Sequence, residues 1–306
     1  MAVAEPVVPG PVVPGPAMPG PVVPGPVARR RFARAVRTPL GSARALAWAA
    51  ASLLVVVTLL ALLAPVITPH DPLLPAAAPL QPPGTGGFLL GTDSIGRDVL
   101  ARLLAGLRLS WFAAFVVIAS GLLVGGTVGV VAGATGGWVD NVLMRVTDVF
   151  LALPAPLLAI AVVAALGPGL QNTLLAVAVV WWPFYARIIR GEVRTLAARP
   201  HVEAARLAGV GRLRLAARHL LPGAVPAAVI TASLDGGNLV LTLAALSFLG
   251  LGQPAPAAEL GADTARNLSF LLQQWWIPVM PGLAVLLLSL VGNLAGDGVR
   301  TLLGER

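Results

Sequence analysis

The sequence contains no cysteine and no lysine, and only 11% of its residues are charged. Without cysteine there is no disulfide framework, thiolate metal site or thiol nucleophile, which removes several classes of enzyme. The histidines, His70, His201 and His219, are far apart and show no metal-ligand spacing, so no metal centre is expected. No GxxxxGK[ST] phosphate loop occurs, so the chain is not expected to hydrolyse ATP itself. The apolar runs lack the clustered His, Asp, Ser or Glu that a membrane-embedded enzyme would need. An ordinary soluble domain carries about a quarter of its residues as charges. This chain is 57% hydrophobic, and most of it is expected to sit in lipid.

What charge there is has a pattern. The net charge of +8 comes entirely from arginines that flank apolar runs, the ordinary topology signal of a membrane protein, so no nucleic-acid partner is expected. Residues 1–28 repeat a PVVPG unit, in which proline removes backbone donors and favours extended structure; this segment reads as a disordered linker tail. A basic cytoplasmic anchor and first span follow over 29–67, then an outer loop and helix over 68–109, a transport domain over 110–300 and a short cytoplasmic tail over 301–306. Runs near the roughly 20 residues that cross a bilayer are read at Ala45 to Ile67, Ser110 to Ala132, Val142 to Leu166, Asn172 to Ile189, Ala224 to Leu249 and Trp276 to Leu294. They lack the period-2 alternation of barrel strands, which predicts an all-α bundle of six transmembrane helices. Six spans and the arginine bias put both termini in the cytoplasm. Gly121, Gly125, Gly126 and Gly129 in the second span are expected to let helices approach closely.

The inner loop from Tyr185 to Pro222 holds eight arginines, is longer than a connection requires and has helical period, so it is expected to dock onto a partner. Its pattern predicts a short helix across the bilayer face, a turn at Gly209 and a second helix ended by Pro222, with Glu203 and Arg206 as a local i,i+3 pair. Elsewhere the nearest-neighbour readings are a helix cap among Thr92, Asp93 or Ser94. They also include ion pairs Asp98 with Arg102, Arg145 with Asp148, and Asp297 with Arg300. Asp235 and Asn238 lie inside a predicted span, where polar groups face a bundle interior or a water-filled path.

The spacing of Glu203-Ala204-Ala205, Gly209, His219, Leu221 and Pro222 resembles the EAA loop of ABC importer permeases. Trp182 to Arg187 with Arg190-Gly191-Glu192 resembles WPxYAR…RGE of the oligopeptide, dipeptide and nickel branch of the binding-protein-dependent inner membrane components. LGTDSIGRDVL at Leu90 to Leu100, GGWVD at Gly136 to Asp140 with Met144-Arg145 and Asp148, LALP at Leu151 to Pro154, SFLGLG at Ser247 to Gly252 and NLAGDGVR at Asn293 to Arg300 are similar to further motifs of that branch. Glu259-Leu260-Gly261 stands where the branch commonly has Glu-Trp-Gly. The resemblance implies a type I importer permease bundle whose coupling helix, through Glu203, Ala204, Ala205, Gly209, His219, Leu221 and Pro222, engages cytoplasmic ATPases. It implies as partners a second permease, two ATPase subunits that use the ATP and Mg, an external solute-binding protein and membrane lipid in a bacterial plasma membrane, with no cofactor on this chain. Peptide is the implied cargo and a nickel or metal chelate the alternative; a passive channel would have no use for the docking loop. Asp235 and Asn238 are the candidate path residues.

Overall fold

In the computed structural model the described residues are 40–304, with side chains described over 44–303. The proline-rich tail (1–28) and basic stretch (29–37) lie outside the described residues, and residues 43–306 form one compact unit. In chain order the described residues form α1 (Leu40–Ile67), a long loop, α2 (Val99–Thr135), α3 (Gly137–Leu151), α4 (Ala155–Leu166) and α5 (Leu170–Ala197). Next come α6 (Pro200–Leu207) and α7 (Arg212–Leu215), which runs through a π turn (Ala216–Leu220) into α8 (Leu221–Phe248). The segment after α8 carries α9 (Leu260–Arg266), and α10 (Trp276–Gly304) follows it. α1, α2, α5, the continuous Arg212–Phe248 helix and α10 are each long and apolar enough to cross a membrane.

The candidate sixth span passes the same test only as α3 and α4 together, bent by 84°, not as the single helix expected over Val142 to Leu166. The break falls at Leu153-Pro154: proline lacks an amide donor and pushes the residue before it out of the helical region, and Pro154 sits just before α4 as its N-cap residue. Other helices outrun their hydropathy, α10 by running past Leu294 to Gly304. α2 starts at Val99, ahead of Ser110, and α5 continues to Ala197, so Arg187, Arg190 and Arg194 stand on an extension of the helix rather than in a loop.

Small residues set the packing. On α2, Gly121, Gly125, Gly129 and Gly133 form one face at i,i+4 spacing. A Cβ at Gly125 would lie 2.3 Å from the Trp182 carbonyl, and one at Gly129 2.6 Å from that of Ala186. The α2 and α5 backbones therefore nearly touch, the arrangement small residues permit in lipid. Gly126 points elsewhere, with only Ile189 within reach at 3.5 Å. α8 and α10 meet in the same way at Gly237, Gly292 and Gly296. α1 is the most loosely held span: only 11% of its most apolar stretch is buried, against 50% for α5 and α10. It rests on α10 where Ala47 and Ala50 meet Gly298 and on α2 where the Trp111 indole donates to Thr58 at 3.1 Å.

Candidate functional site

The segment between α5 and α8 is a helix, a tight turn and a second helix. α6 ends in a Schellman motif: Gly209 holds φ +82°, the Val210 amide donates to the Ala205 carbonyl at 3.1 Å and the Gly209 amide to that of Arg206 at 3.1 Å. The residue in the left-handed position must be able to adopt it without Cβ strain, which is why glycine stands four residues after Ala205. Val202 and Leu215 are buried and pin the segment to the bundle, while Glu203, Ala204 and Gly209 are exposed. Leu207 and Leu213 are 83% and 84% exposed. Two leucines projecting at the tip of an arginine-rich segment form an unpartnered face.

Pro222 does not end the second helix. The Leu221 amide donates to the Ala216 carbonyl across the π turn, and Pro222 follows in the first turn of α8, where its missing donor and ring are tolerated in a way an interior α-helical site would not allow. His219 lies within that π turn, half-buried, and Leu221 and Pro222 are exposed. Among the described residues no ion pair joins Glu203 to Arg206 or Asp297 to Arg300.

Where α5 emerges toward this segment it is tied to α3. Arg190 grips Asp140 with two bonds, through Nε and, at 2.6 Å, through Nη2; Arg194 approaches the same carboxylate at 3.6 Å, and Arg187 pairs with Asp148. Asp148 was expected to pair with Arg145 at i,i+3. The structure instead joins GGWVD and the following Asp148 to YAR and RGE on another helix. Bidentate guanidinium–carboxylate geometry is the strongest of such contacts, and Asp140 is 3% exposed.

Asp235 is buried between α5 and α8. Its Oδ2 accepts hydrogen bonds from the Trp181 indole and, at 2.9 Å, from the Tyr185 hydroxyl, two donors one turn apart on α5. Asn238, three residues on, is exposed. The two candidate path residues thus have different settings: Asp235 joins helices within the bundle, and Asn238 faces outward from the subunit.

The LGTDSIGRDVL motif folds into a compact hydrogen-bonded turn ahead of α2. The helix cap is Asp98, whose side chain accepts from the Leu100 amide at 2.9 Å and from His70 at 2.8 Å. Asp93 accepts from the amides of Ile95 and Arg97 and from Arg97 Nε, and Thr92 is fully buried between Gln81 and Ala78. Arg102, expected to pair with Asp98, reaches instead to Asp263 at 2.5 and 3.1 Å and to the carbonyls of Pro72, Pro256 and Ala257. Burial pushes the Asp263 carboxyl above its usual range, with Arg102 pulling against that shift. Glu259 accepts from Ser247 and the Gln253 amide, closing the turn after α8, where Gly250 holds φ +82°. Leu260, 1% exposed, packs on α2 at Gly106. Asp140, Arg190, Arg102 and Asp263 are the polar centres that sequence neighbourhood did not reveal; for Asp140 and Arg190 the D and R of the motifs were the available signal, while Arg102 and Asp263 lie outside any motif.

Residues 125–306 match the family of binding-protein-dependent transport system inner membrane components. The chain is 38% identical over 257 residues to the probable D,D-dipeptide transport system permease of Escherichia coli K12, covering 84% of this chain and 86% of that protein. It is 41% identical over 253 residues to the di/tripeptide transport system permease of Pseudomonas aeruginosa, with 80% and 83% covered. Against the glutathione transport system permease of Pectobacterium atrosepticum it is 40% identical, with 71% and 72% covered. Among solved structures, a chain of the inward-facing MetNI methionine ABC transporter superposes with a TM-score of 0.51 at 21% identity, over 65% of this chain and 96% of that one, a likeness of fold. The relatives are permeases rather than enzymes, and the apolar helices place the protein in the cell membrane as a multi-pass component. With its fold, its motifs and its relatives in agreement, the chain belongs to the binding-protein-dependent transport system inner membrane component family, the permeases of ABC importers.

Proposed function

We propose that this permease forms part of a translocation path for di- or oligopeptides and is driven by cytoplasmic ATPases that dock on the segment from Pro200 to Pro222. The observation that carries the coupling role is the exposed tip of that segment. Glu203, Ala204, Leu207 and Leu213 face solvent on a helix–turn–helix that Val202 and Leu215 fix to the bundle. Apolar side chains this exposed outside the lipid are a protein-docking surface. Peptide cargo is supported by the relatives, which are named for dipeptide, di/tripeptide and glutathione transport.

In this reading the chain pairs with a second permease, two ATPase subunits bind inside and use the ATP and Mg, and a solute-binding protein delivers cargo outside. Both termini are cytoplasmic, consistent with the eight arginines between Arg187 and Pro222 on the same side. Closure of the ATPases moves the docked segment, and the bundle exchanges inward and outward access. The test is copurification of the intact complex with wild type and with Glu203→Arg/Leu207→Glu, both side chains being exposed. ATPases are expected with wild type and at least tenfold less with the variant, at unchanged permease yield. Equal recovery would move the docking surface elsewhere. Stimulation of the wild-type complex's ATPase by dipeptide-loaded binding protein checks the cargo.

A further inference from the structure

We propose that the cavity between the outer ends of α1, α2 and α5 binds a phospholipid with a primary-ammonium headgroup, its phosphate on Arg108 and its ammonium on Asp71. The cavity encloses about 910 Å³ and is lined by the last turn of α1, the turn after it, one face of α2 and the first turn of α5. Its floor is Arg108, Phe112 and Val116 on α2, four residues apart and therefore on one helix face. Leu170 and Leu174 form the α5 wall.

The depth of the cavity selects a lipid. After Arg108 the next charged residue is Asp140, and the uncharged stretch between them exceeds the roughly 20 residues that cross the hydrocarbon. α1 ends at Ile67 and α5 begins at Leu170. All three elements therefore reach the cavity where apolar chain gives way to the outer headgroup layer, with the guanidinium at its edge and Phe112 and Val116 below.

Charge selects the headgroup. Arg108 is exposed, and among the described residues its guanidinium has neither ion pair nor hydrogen bond. Asp71 accepts only from the Leu73 amide, at 2.8 Å, which leaves its second oxygen available. The two side chains line one cavity without pairing with each other, a separated cation and anion above an apolar slot. His70, also on the wall, is already committed to Asp98. A phosphate joined to an ammonium carries the two complementary charges, and its acyl chain suits the apolar slot. A quaternary ammonium cannot donate hydrogen bonds to Asp71, and a glycerol headgroup offers it no positive charge. A short peptide also carries both charges, but the mainly apolar walls and a neighbouring α1 that keeps 89% of its apolar stretch unburied (from 11% buried) favour the lipid.

The experiment is native mass spectrometry of the delipidated full-length protein with phosphatidylethanolamine, phosphatidylcholine, phosphatidylglycerol or inorganic phosphate, with and without dialanine. Phosphatidylethanolamine is expected to be retained about fivefold better than the other two lipids. Arg108→Gln is expected to cut its occupancy about tenfold, and Asp71→Asn to abolish the preference over phosphatidylcholine. Leu174→Trp, which fills the slot and keeps both charges, is expected to exclude the lipid, so the proposal stays testable should a charge variant fold poorly. Unchanged occupancy in Arg108→Gln, or equal retention of the three lipids, overturns the proposal. Displacement of the lipid by dialanine assigns the cavity to cargo, and binding of inorganic phosphate alone assigns it to free anions; either overturns it too.

Discussion

The pairing of Asp140 with Arg190 can be tested by a double-mutant cycle. Asp140 is 3% exposed and the Arg190 side chain 24%, so the pair lies between a surface bridge, worth about 0–1 kcal/mol, and a buried one, whose broken half costs about 3–5 kcal/mol. Arg190→Ala strands a buried carboxylate, but Arg194 stands 3.6 Å away with its side chain 57% exposed and can move in. The expected loss is about 2–3 kcal/mol. Asp140→Ala strands a guanidinium that can turn to water, an expected loss of about 2 kcal/mol. The double variant is expected to lose no more than about 3 kcal/mol, because the second change removes a partner already orphaned. That gives a coupling of at least about 1–2 kcal/mol, outside the ~0.5 kcal/mol within which independent sites add. Unfolding of the purified permease, followed by far-UV circular dichroism against denaturing detergent, supplies the stabilities. Additive losses would show that the contact carries no net stabilisation and would refute its role in holding α5 to α3.

The α2 glycine face separates two neighbours sharply. Gly125→Val is expected to destabilise by more than about 3 kcal/mol or to abolish accumulation in the membrane, since its Cβ would fall 2.3 Å from a backbone carbonyl, whereas Gly126→Ala is expected within about 0.5 kcal/mol of wild type; membrane yield and melting temperature check both. At Asp235, Asn retains an acceptor for Trp181 and Tyr185 while Leu leaves both donors without one. Asp235→Asn is therefore expected to keep near-normal stability, and Asp235→Leu to lose about 2–4 kcal/mol, measured in the same unfolding assay.

The five continuous spans were legible because the hydropathy signal accumulates over about 20 residues and needs no knowledge of partners. The bend in the sixth was not: Leu151 to Pro154 is apolar on both sides of the break, so an averaged hydropathy passes over the proline that causes it. Gly209 was legible as a turn because its chemistry is local, two hydrogen bonds and one dihedral. The ion pairs were misassigned for a definite reason. Sequence proximity offers only i,i+3 and i,i+4 partners, whereas Asp148 pairs with a residue 39 positions away, Asp140 with one 50 away and Arg102 with one 161 away. Asp148, Arg187, Asp140 and Arg190 all belonged to motifs, and those motifs proved to be halves of contacts between helices, whereas Arg102 and Asp263 lie outside any motif.

That pairing bears on how the proposed docking segment acts on the bundle. Its two roots are built differently. On one side α5 leaves the bundle as an uninterrupted helix to Ala197, tied to α3 by Arg187 and Arg190. On the other, the chain re-enters through a π turn followed directly by Pro222, where the regular i to i−4 ladder is interrupted and bending costs least. A displacement of the Glu203–Gly209 tip would therefore bend the chain both at the π turn and at the Ala198–Arg199 break before Pro200, and what reaches Ala197 would be carried along α5. From α5 the ion pairs carry it to α3, which meets α4 at the 84° bend. Among the described spans that bend is a place where a rotation of one half-helix changes shape without breaking a continuous helix, so the salt-bridged root is a route by which docking would reach the path.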